Sequence, residues 1–309
     1  MALFEHNLMG EKTDKVQTAI NRLQAFEPEE GYYLAFSGGK DSVCIKALAD
    51  LAGVKYDAHY NATTVDPPEL VRFIREHHPD VEIVKPDIPM RKLIVQKRMP
   101  PTRLVRYCCA HYKEKHGQDR VTLTGTRWAE SSNRRNNQGV VTIFNGKAGV
   151  VAEENGANFT PTNKGGVVLN YDDSPSRRTV EQCYRTHKTL VNPIIDWANE
   201  DVWEFIETNS LPYCKLYDEG WSRLGCVGCP MGGAYNMEAE LARWPSIRKV
   251  YVKAFDEMIA KRKELGMRCI WNNGEEMMSW WLGKMKLSEI DGQVSMFDQQ
   301  EEKCNVLDD

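Results

Sequence analysis

Three stretches of this chain carry residue types at spacings that could do chemistry. The first is Ser37-Gly38-Gly39-Lys40-Asp41-Ser42. Two glycines let a backbone turn with its N–H groups exposed, and a helix starting there adds the positive end of its dipole, so the segment suits an anion. Ser37 and Ser42 add hydroxyl donors, and Lys40 adds a charge. The spacing is not that of a Walker A loop, because Leu34 stands where its first glycine would fall. The second is Gly125-Thr126-Arg127. A glycine at a strand end admits a ligand, and an arginine there can grip phosphate with two parallel bonds or, more plainly, pair with Glu130 at the surface. The third is a set of cysteines: the tandem Cys108-Cys109, and Cys226-Val227-Gly228-Cys229 between Gly225 and Gly232-Gly233. Four thiolates satisfy a tetrahedral Zn²⁺ or an iron–sulfur cluster. Adjacent cysteines point in different directions, which is awkward around one Zn²⁺ and easier on two irons of a [4Fe–4S] cube. Free, packed cysteines are the plain alternative.

The elements that must hold these residues follow from hydrophobic spacing. Val16, Ile20, Leu23 and Phe26 recur at helical intervals, predicting a helix over 11–26. Strands are predicted at 32–36, 55–62, 81–84 and 121–126, with helices at 43–53, 67–77 and 89–97 between them. Strands alternating with helices imply βαβ units and a mostly parallel sheet. Residues 139–189 are rich in Gly and Asn with short β-like runs, and read as an inserted hairpin or flap. From Asn199 the pattern turns helical, at 200–208, 235–243, 247–265 and 274–284. The expected plan is a nucleotide-type core over 1–138, the insert over 139–189, the rest of the domain with its Cys-x-x-Cys loop and C-terminal helices over 190–287, and a tail over 288–309. That tail carries seven acids against one Lys.

Composition narrows the class. The 309 residues are 41% hydrophobic and 27% charged, too apolar for a disordered chain. No run approaches the length of a membrane span, and mean hydropathy is −0.54. No apolar signal region lies between Met1 and Asp14, and nine cysteines without one point to the reducing cytoplasm. The formal charge of −4 hides an uneven distribution: from Lys85 to Arg135 there are 13 Lys and Arg against 4 Asp and Glu, a net of +9. Arg91, Lys92, Lys97, Arg98, Arg103 and Arg106 lie in that segment. It can serve the phosphates of a nucleotide or of a nucleic acid, or form a solvated face balanced by the acidic tail. Trp280 and Trp281 could stack bases or pack in a core.

The Ser-Gly-Gly-Lys-Asp-Ser loop after a hydrophobic strand resembles the pyrophosphate loop of the PP-loop ATP pyrophosphatase superfamily, whose members cleave ATP between its α- and β-phosphates. The resemblance implies a Rossmann-like α/β fold and gives Asp41 a role in holding Mg²⁺. It also brings the strand end near Asn61 toward the adenine. Gly125-Thr126-Arg127-Trp128-Ala129-Glu130-Ser131-Ser132-Asn133-Arg134 matches an element of the PAPS (phosphoadenosine phosphosulfate) reductase family within that superfamily. Its iron–sulfur branch, the adenylylsulfate (APS) reductases, holds a [4Fe–4S] cluster on a Cys-Cys pair and a distant Cys-x-x-Cys. By that resemblance Cys108, Cys109, Cys226 and Cys229 are the cluster ligands. Ser37, Gly38, Gly39, Lys40, Asp41, Ser42, Asn61, Gly125, Arg127 and Arg134 bind the nucleotide, and Lys40, Asp41 and Arg127 are the catalytic candidates. Similarity continues through Asn192-Pro193-Ile194, Asp196-Trp197 and Leu216-Tyr217-Asp218-Glu219-Gly220, so it runs from about Tyr32 to Gly233 without the insert.

One departure changes the expected reaction. Sulfonucleotide reduction in this family uses a cysteine in a C-terminal Glu-Cys-Gly-(Leu/Ile)-His motif, which is absent; Cys304 stands in Glu302-Lys303-Cys304-Asn305-Val306. The stretch Ser222 to Cys229 also resembles the PP-loop subunit of DNA phosphorothioation systems. The expectation is therefore an enzyme that binds ATP, adenylates an acceptor and transfers sulfur to a nucleic acid, DNA or tRNA, held by the basic segment, with a sulfur-donor protein. A thioredoxin-dependent APS/PAPS reductase is the alternative, and a nucleotide- and cluster-dependent DNA-binding regulator is the third reading.

Overall fold

The computed structural model describes residues 3–6, 12–117, 119–144, 158–163, 165–170 and 188–285. Cys183, Cys304 and the acidic tail lie outside them. Among the described residues, no helix is long and apolar enough to cross a membrane. The chain forms two compact units.

The first unit comprises Met1–Ala62, Pro68–Lys85 and Glu114–Leu224. Short strands β1 (Phe4–His6) and β2 (Lys12–Asp14) pair antiparallel ahead of α1 (Lys15–Ala25). That helix begins at 15 rather than 11 because the Asp14 carboxylate accepts from the Val16 and Gln17 N–H groups, capping it there. The main sheet runs β5 (Glu82–Val84), β4 (Tyr56–Asn61), β3 (Tyr32–Ala35), β6 (Val121–Leu123), β10 (Lys188–Val191), β7 (Val141–Phe144), β9 (Gly166–Leu169), β8 (Phe159–Pro161). The first five are parallel, linked through α2 (Lys40–Ala52) and α3 (Pro68–His77), as the alternating pattern requires. The last three are antiparallel, so the sheet is mixed. For β8 and β9 the cause is local: only four residues separate them, too few for the crossover that a parallel pair needs. Residues Tyr32, Leu34, Val121 and Leu123 are almost completely buried, as strands covered on both faces must be.

β4 lies on one side of β3 and β6 on the other, so the chain changes direction at the β3–β6 boundary. Loops leaving two such strands diverge and open a crevice at their carboxyl ends, where open α/β sheets place ligands. α6 (Ser132–Asn137) and α7 (Asn199–Thr208) complete this unit. Lys15 and Asp201 form a buried ion pair at 2.7 Å that ties α1 to α7.

The second unit comprises Thr63–Pro67, Pro86–Lys113 and Gly225–Asp309. Its described part is helical: α4 (Met90–Lys97), the short turn α5 (Tyr107–Cys109), α8 (Gly233–Arg243), α9 (Pro245–Glu264) and α10 (Gly274–Trp281). Its core gathers Tyr251, Phe255 and Trp281, with rings 4.9 and 5.4 Å from the Trp281 ring. The Trp281 indole N–H donates to the Pro101 carbonyl at 2.7 Å, so this tryptophan is a core residue and not a stacking platform. Trp280 packs against Trp271 at 5.1 Å.

Candidate nucleotide and thiol sites

The first site is built at the end of β3. Gly38 adopts φ +72°, and a Cβ there would stand 2.7 Å from Leu70 and 2.8 Å from Ile74 of α3, so both the backbone conformation and the space demand glycine. Gly39 caps α2 without a side-chain bond, so that no cap side chain takes the Asp41 and Ser42 N–H groups. Ser37 and Ser42 join hydroxyls at 3.2 Å, and the Ser42 hydroxyl donates to the Gly39 carbonyl at 2.8 Å, fixing the turn.

The β6 loop closes on this turn. A Cβ on Gly125 would lie 2.8 Å from that of Asp41, so glycine permits the approach. Arg127 is 3% exposed, and its Nε donates to Asp41 Oδ1 at 2.7 Å. The surface pairing with Glu130 does not occur. Glu130 instead accepts from the Arg127 backbone N–H at 2.9 Å and pairs with Arg134. Lys40 is buried with its ammonium 3.4 Å from Asp41 Oδ2. The structure thus brings Ser37, Gly38, Gly39, Lys40, Asp41, Ser42, Gly125 and Arg127 together. Asn61, at the end of β4, meets the Tyr33 hydroxyl at 3.3 Å rather than the loop, and Arg134 is held by Glu130.

Sequence reasoning missed Tyr217. Its hydroxyl accepts from the Lys40 backbone N–H at 2.9 Å, and its ring lies 5.9 Å beneath the Lys40 ammonium. Burial pushes its pKa up, so it stays a neutral phenol that can donate as well as accept. The only signal for it was its place in the Leu-Tyr-Asp-Glu-Gly run.

The second site lies wholly in the second unit. Cys108 and Cys109 sit in α5, and Cys226 and Cys229 in the glycine loop; all four are free and partly exposed. The loop is fixed by three bonds: Val227 N–H to the Val65 carbonyl at 2.9 Å, Gly228 N–H to Glu240 at 2.6 Å, and Tyr251 Oη to the Val227 carbonyl at 3.0 Å. The thiols feel one another. The hydrogen bond between the tandem pair holds Cys109 below and Cys108 above the usual thiol range, and Cys226 and Cys229 push Cys108 further up. Burial raises Cys226. The Lys113 ammonium is held charged chiefly by Cys226, a neighbour that spacing alone did not reveal.

Among the described residues, no three His, Cys, Asp or Glu side chains converge as a single-ion site. Both carboxylate oxygens of Asp41, where the resemblance puts Mg²⁺, face the cations Arg127 and Lys40.

The basic segment divides between the two units. Arg91 pairs with Glu257, Arg120 with Asp57, and Arg127 with Asp41. Lys92, Lys97, Arg98 and Arg103 are exposed in the second unit and make no ion pair among the described residues. Beside Arg98, the Arg262 guanidinium donates to the carbonyls of Arg98 at 2.8 Å and of Arg268, so its charge is not neutralised by a carboxylate.

The pattern of the phosphoadenosine phosphosulfate reductase domain matches residues 31–231. An adenosine 5'-phosphosulfate reductase of Oceanobacillus iheyensis is 37% identical over 59 residues, 19% of this chain and 25% of that protein. Another, from Shouchella clausii, is 32% identical over 84 residues, 26% of this chain and 35% of that protein. The matched stretches thus span a quarter to about a third of these relatives' lengths. Among solved structures, the phosphoadenylyl-sulfate reductase of Candida auris, in a phosphate complex, is 15% identical with a TM-score of 0.40, covering 68% of this chain and 88% of that one. A U34-tRNA thiolase of Methanococcus maripaludis with its [4Fe–4S] cluster is 11% identical with a TM-score of 0.37, covering 88% of this chain and 89% of that one. With most of the described core, both diagnostic loops and all four paired cysteines inside the matched span, the chain belongs to the phosphoadenosine phosphosulfate reductase domain family.

Proposed function

We propose that this chain is a PP-loop enzyme that binds ATP, cleaves it between the α- and β-phosphates to adenylate an acceptor, and directs sulfur to the activated position. The observation that carries this reading is the cation pair of Lys40 and Arg127, held by the one carboxylate of Asp41 at the N-terminus of α2. A triphosphate laid on that terminus accepts from the uncapped Asp41 and Ser42 N–H groups of α2 and takes over the two cations from Asp41. An acceptor oxygen then attacks the α-phosphorus as the bridging oxygen to the β-phosphorus leaves, and pyrophosphate departs with its charge matched by Lys40 and Arg127. A sulfur nucleophile displaces AMP from the adenylated acceptor.

The donor set of the second site fits a [4Fe–4S] cluster. Four free thiols, the donor type that an iron–sulfur cluster takes, stand on two short segments of one unit beside Lys113. Cys108, Cys109, Cys226 and Cys229 would hold it, and when bound it supplies a centre for handling electrons and sulfur.

The names of the relatives favour a second reading, reduction of APS or PAPS on the same phosphate site. The absent Glu-Cys-Gly-(Leu/Ile)-His motif weighs against it. Anaerobically purified protein given ATP, with and without DNA or tRNA, separates the two: pyrophosphate release that depends on nucleic acid supports the first reading. Sulfite release from APS or PAPS with thioredoxin, and no pyrophosphate from ATP, supports the second.

A further inference from the structure

The first unit contains a cavity of about 680 Å³ that the phosphate loop does not use. Its walls include Trp128, Arg135, Asn136, Gln138, Thr160 and Asn170. β7 runs antiparallel to β10, with Val141 opposite Val191, so the start of β7 lies at the carboxyl edge of the parallel strands. β7 stands three strand positions from β3, which at about 4.8 Å per strand places this end of the sheet roughly 14 Å along the same edge. Thr160 and Asn170 come from the stretch 139–189 that the family-like motifs skip, while Trp128, Arg135, Asn136 and Gln138 precede it.

The lining has a distinctive chemistry. Trp128 is half-buried, and its indole N–H donates to the Gln138 carbonyl at 2.7 Å, which fixes the ring plane. Gln138 Oε1 is buried with no hydrogen-bond partner, an expense that a ligand donor would relieve. Arg135 is exposed and makes no ion pair among the described residues. Arg22, also in the lining, is held bidentate by Asp196 at 3.0 and 2.9 Å and leaves its charge there. A fixed aromatic plane, side-chain amides and one uncommitted guanidinium together match a planar nitrogen base bearing a phosphate. A bare phosphate is far too small for the volume, and an aliphatic ligand would leave Gln138 Oε1 unpaired.

We propose that this cavity binds a nucleotide unit, its base against Trp128 and Gln138 and its phosphate toward Arg135. The unit is either free or part of a single strand. The site stands on its own walls, whatever reaction occurs at the phosphate loop.

The test uses the full chain with three probes: ATP, a mixture of nucleoside 5'-monophosphates, and a labelled single-stranded 12-mer. Wild type is compared with Trp128→Leu, Arg135→Gln and Lys40→Ala, each checked for native circular dichroism. Trp128→Leu is expected to weaken the monophosphates or the 12-mer about tenfold or more, with Arg135→Gln weakening them less, and ATP unaffected by either. Lys40→Ala is expected to do the reverse. Loss confined to the 12-mer identifies a strand, and loss for the monophosphates identifies a free nucleotide. Because Arg135 is on the surface, its variant keeps the test valid if Trp128→Leu does not fold. If neither variant changes binding of the monophosphates or the 12-mer, the proposal is overturned, even if ATP cleavage at the phosphate loop proceeds.

Discussion

Replacing Asp41 by Asn separates the two things that its carboxylate does. The carboxylate accepts from Arg127 at 2.7 Å and faces Lys40 at 3.4 Å, with side-chain exposures of 22% for Asp41 and 4% for Arg127. Breaking a fully buried ion pair by removing one partner costs about 3–5 kcal/mol. Asp41 is one-fifth exposed and the Asn oxygen can still accept a hydrogen bond, so about 2 kcal/mol is expected, several degrees in Tm. The same change frees the two cations from their internal anion. If phosphate takes the place of that carboxylate, pyrophosphate without metal should bind Asp41→Asn at least about tenfold more tightly, since 1.4 kcal/mol of lost competition suffices. Calorimetric titration with pyrophosphate reads the affinity, and thermal denaturation with and without pyrophosphate reads the stability. A less stable apo protein that gains more stability from pyrophosphate than wild type supports the argument. Unchanged or weaker pyrophosphate binding would refute it, and would mean that Lys40 and Arg127 serve Asp41 alone.

Gly38→Ala combines a left-handed φ of +72° with contacts of 2.7 and 2.8 Å, and should cost about 2–3 kcal/mol in urea denaturation. His78 is packed against Phe36 and Phe73, and burial lowers its pKa from 6.5 to about 4. The unfolded chain therefore binds the proton first, so stability holds above pH 6.5 and declines as pH falls from 6.5 toward 4; His78→Phe should flatten that slope in pH-dependent melts. Replacing Lys97 and Arg98 by Gln should reduce the salt slope of nucleic-acid binding by about 2, measured by fluorescence anisotropy across a salt series. An unchanged slope would remove those two side chains from any phosphate contact.

The geometry of the glycine turn was largely legible because its determinants are local. Gly38, Lys40 and Ser42 act through one strand–turn–helix, whose period switch and glycines stand in a few consecutive residues. The partner of Arg127 was not legible: Glu130 lies nearer in sequence, while Asp41 is 86 residues away and meets it only through strand order. Tyr217 escaped for the same reason, lying 177 residues from Lys40. The three antiparallel strands of the sheet were hidden because short β-like runs in a Gly/Asn-rich stretch carry little information about pairing direction. The paired cysteines were visible as spacing, but their fixing bonds through Val65, Glu240 and Tyr251 depend on tertiary packing. The Trp128 cavity had no sequence signal, since its walls come from α1, α6 and three separate strands or their ends.

The central claim is that Lys40 and Arg127 form a pyrophosphate-releasing site. Its most direct measurement is pyrophosphate release from ATP by the anaerobically prepared protein with DNA or tRNA present, set against Lys40→Ala and Arg127→Gln. Release by wild type is expected, falling by about 10²-fold or more in either variant, on the order of a removed charge contact in a transition state. Absence of release from ATP by wild type, with sulfite produced from APS or PAPS instead, would contradict it.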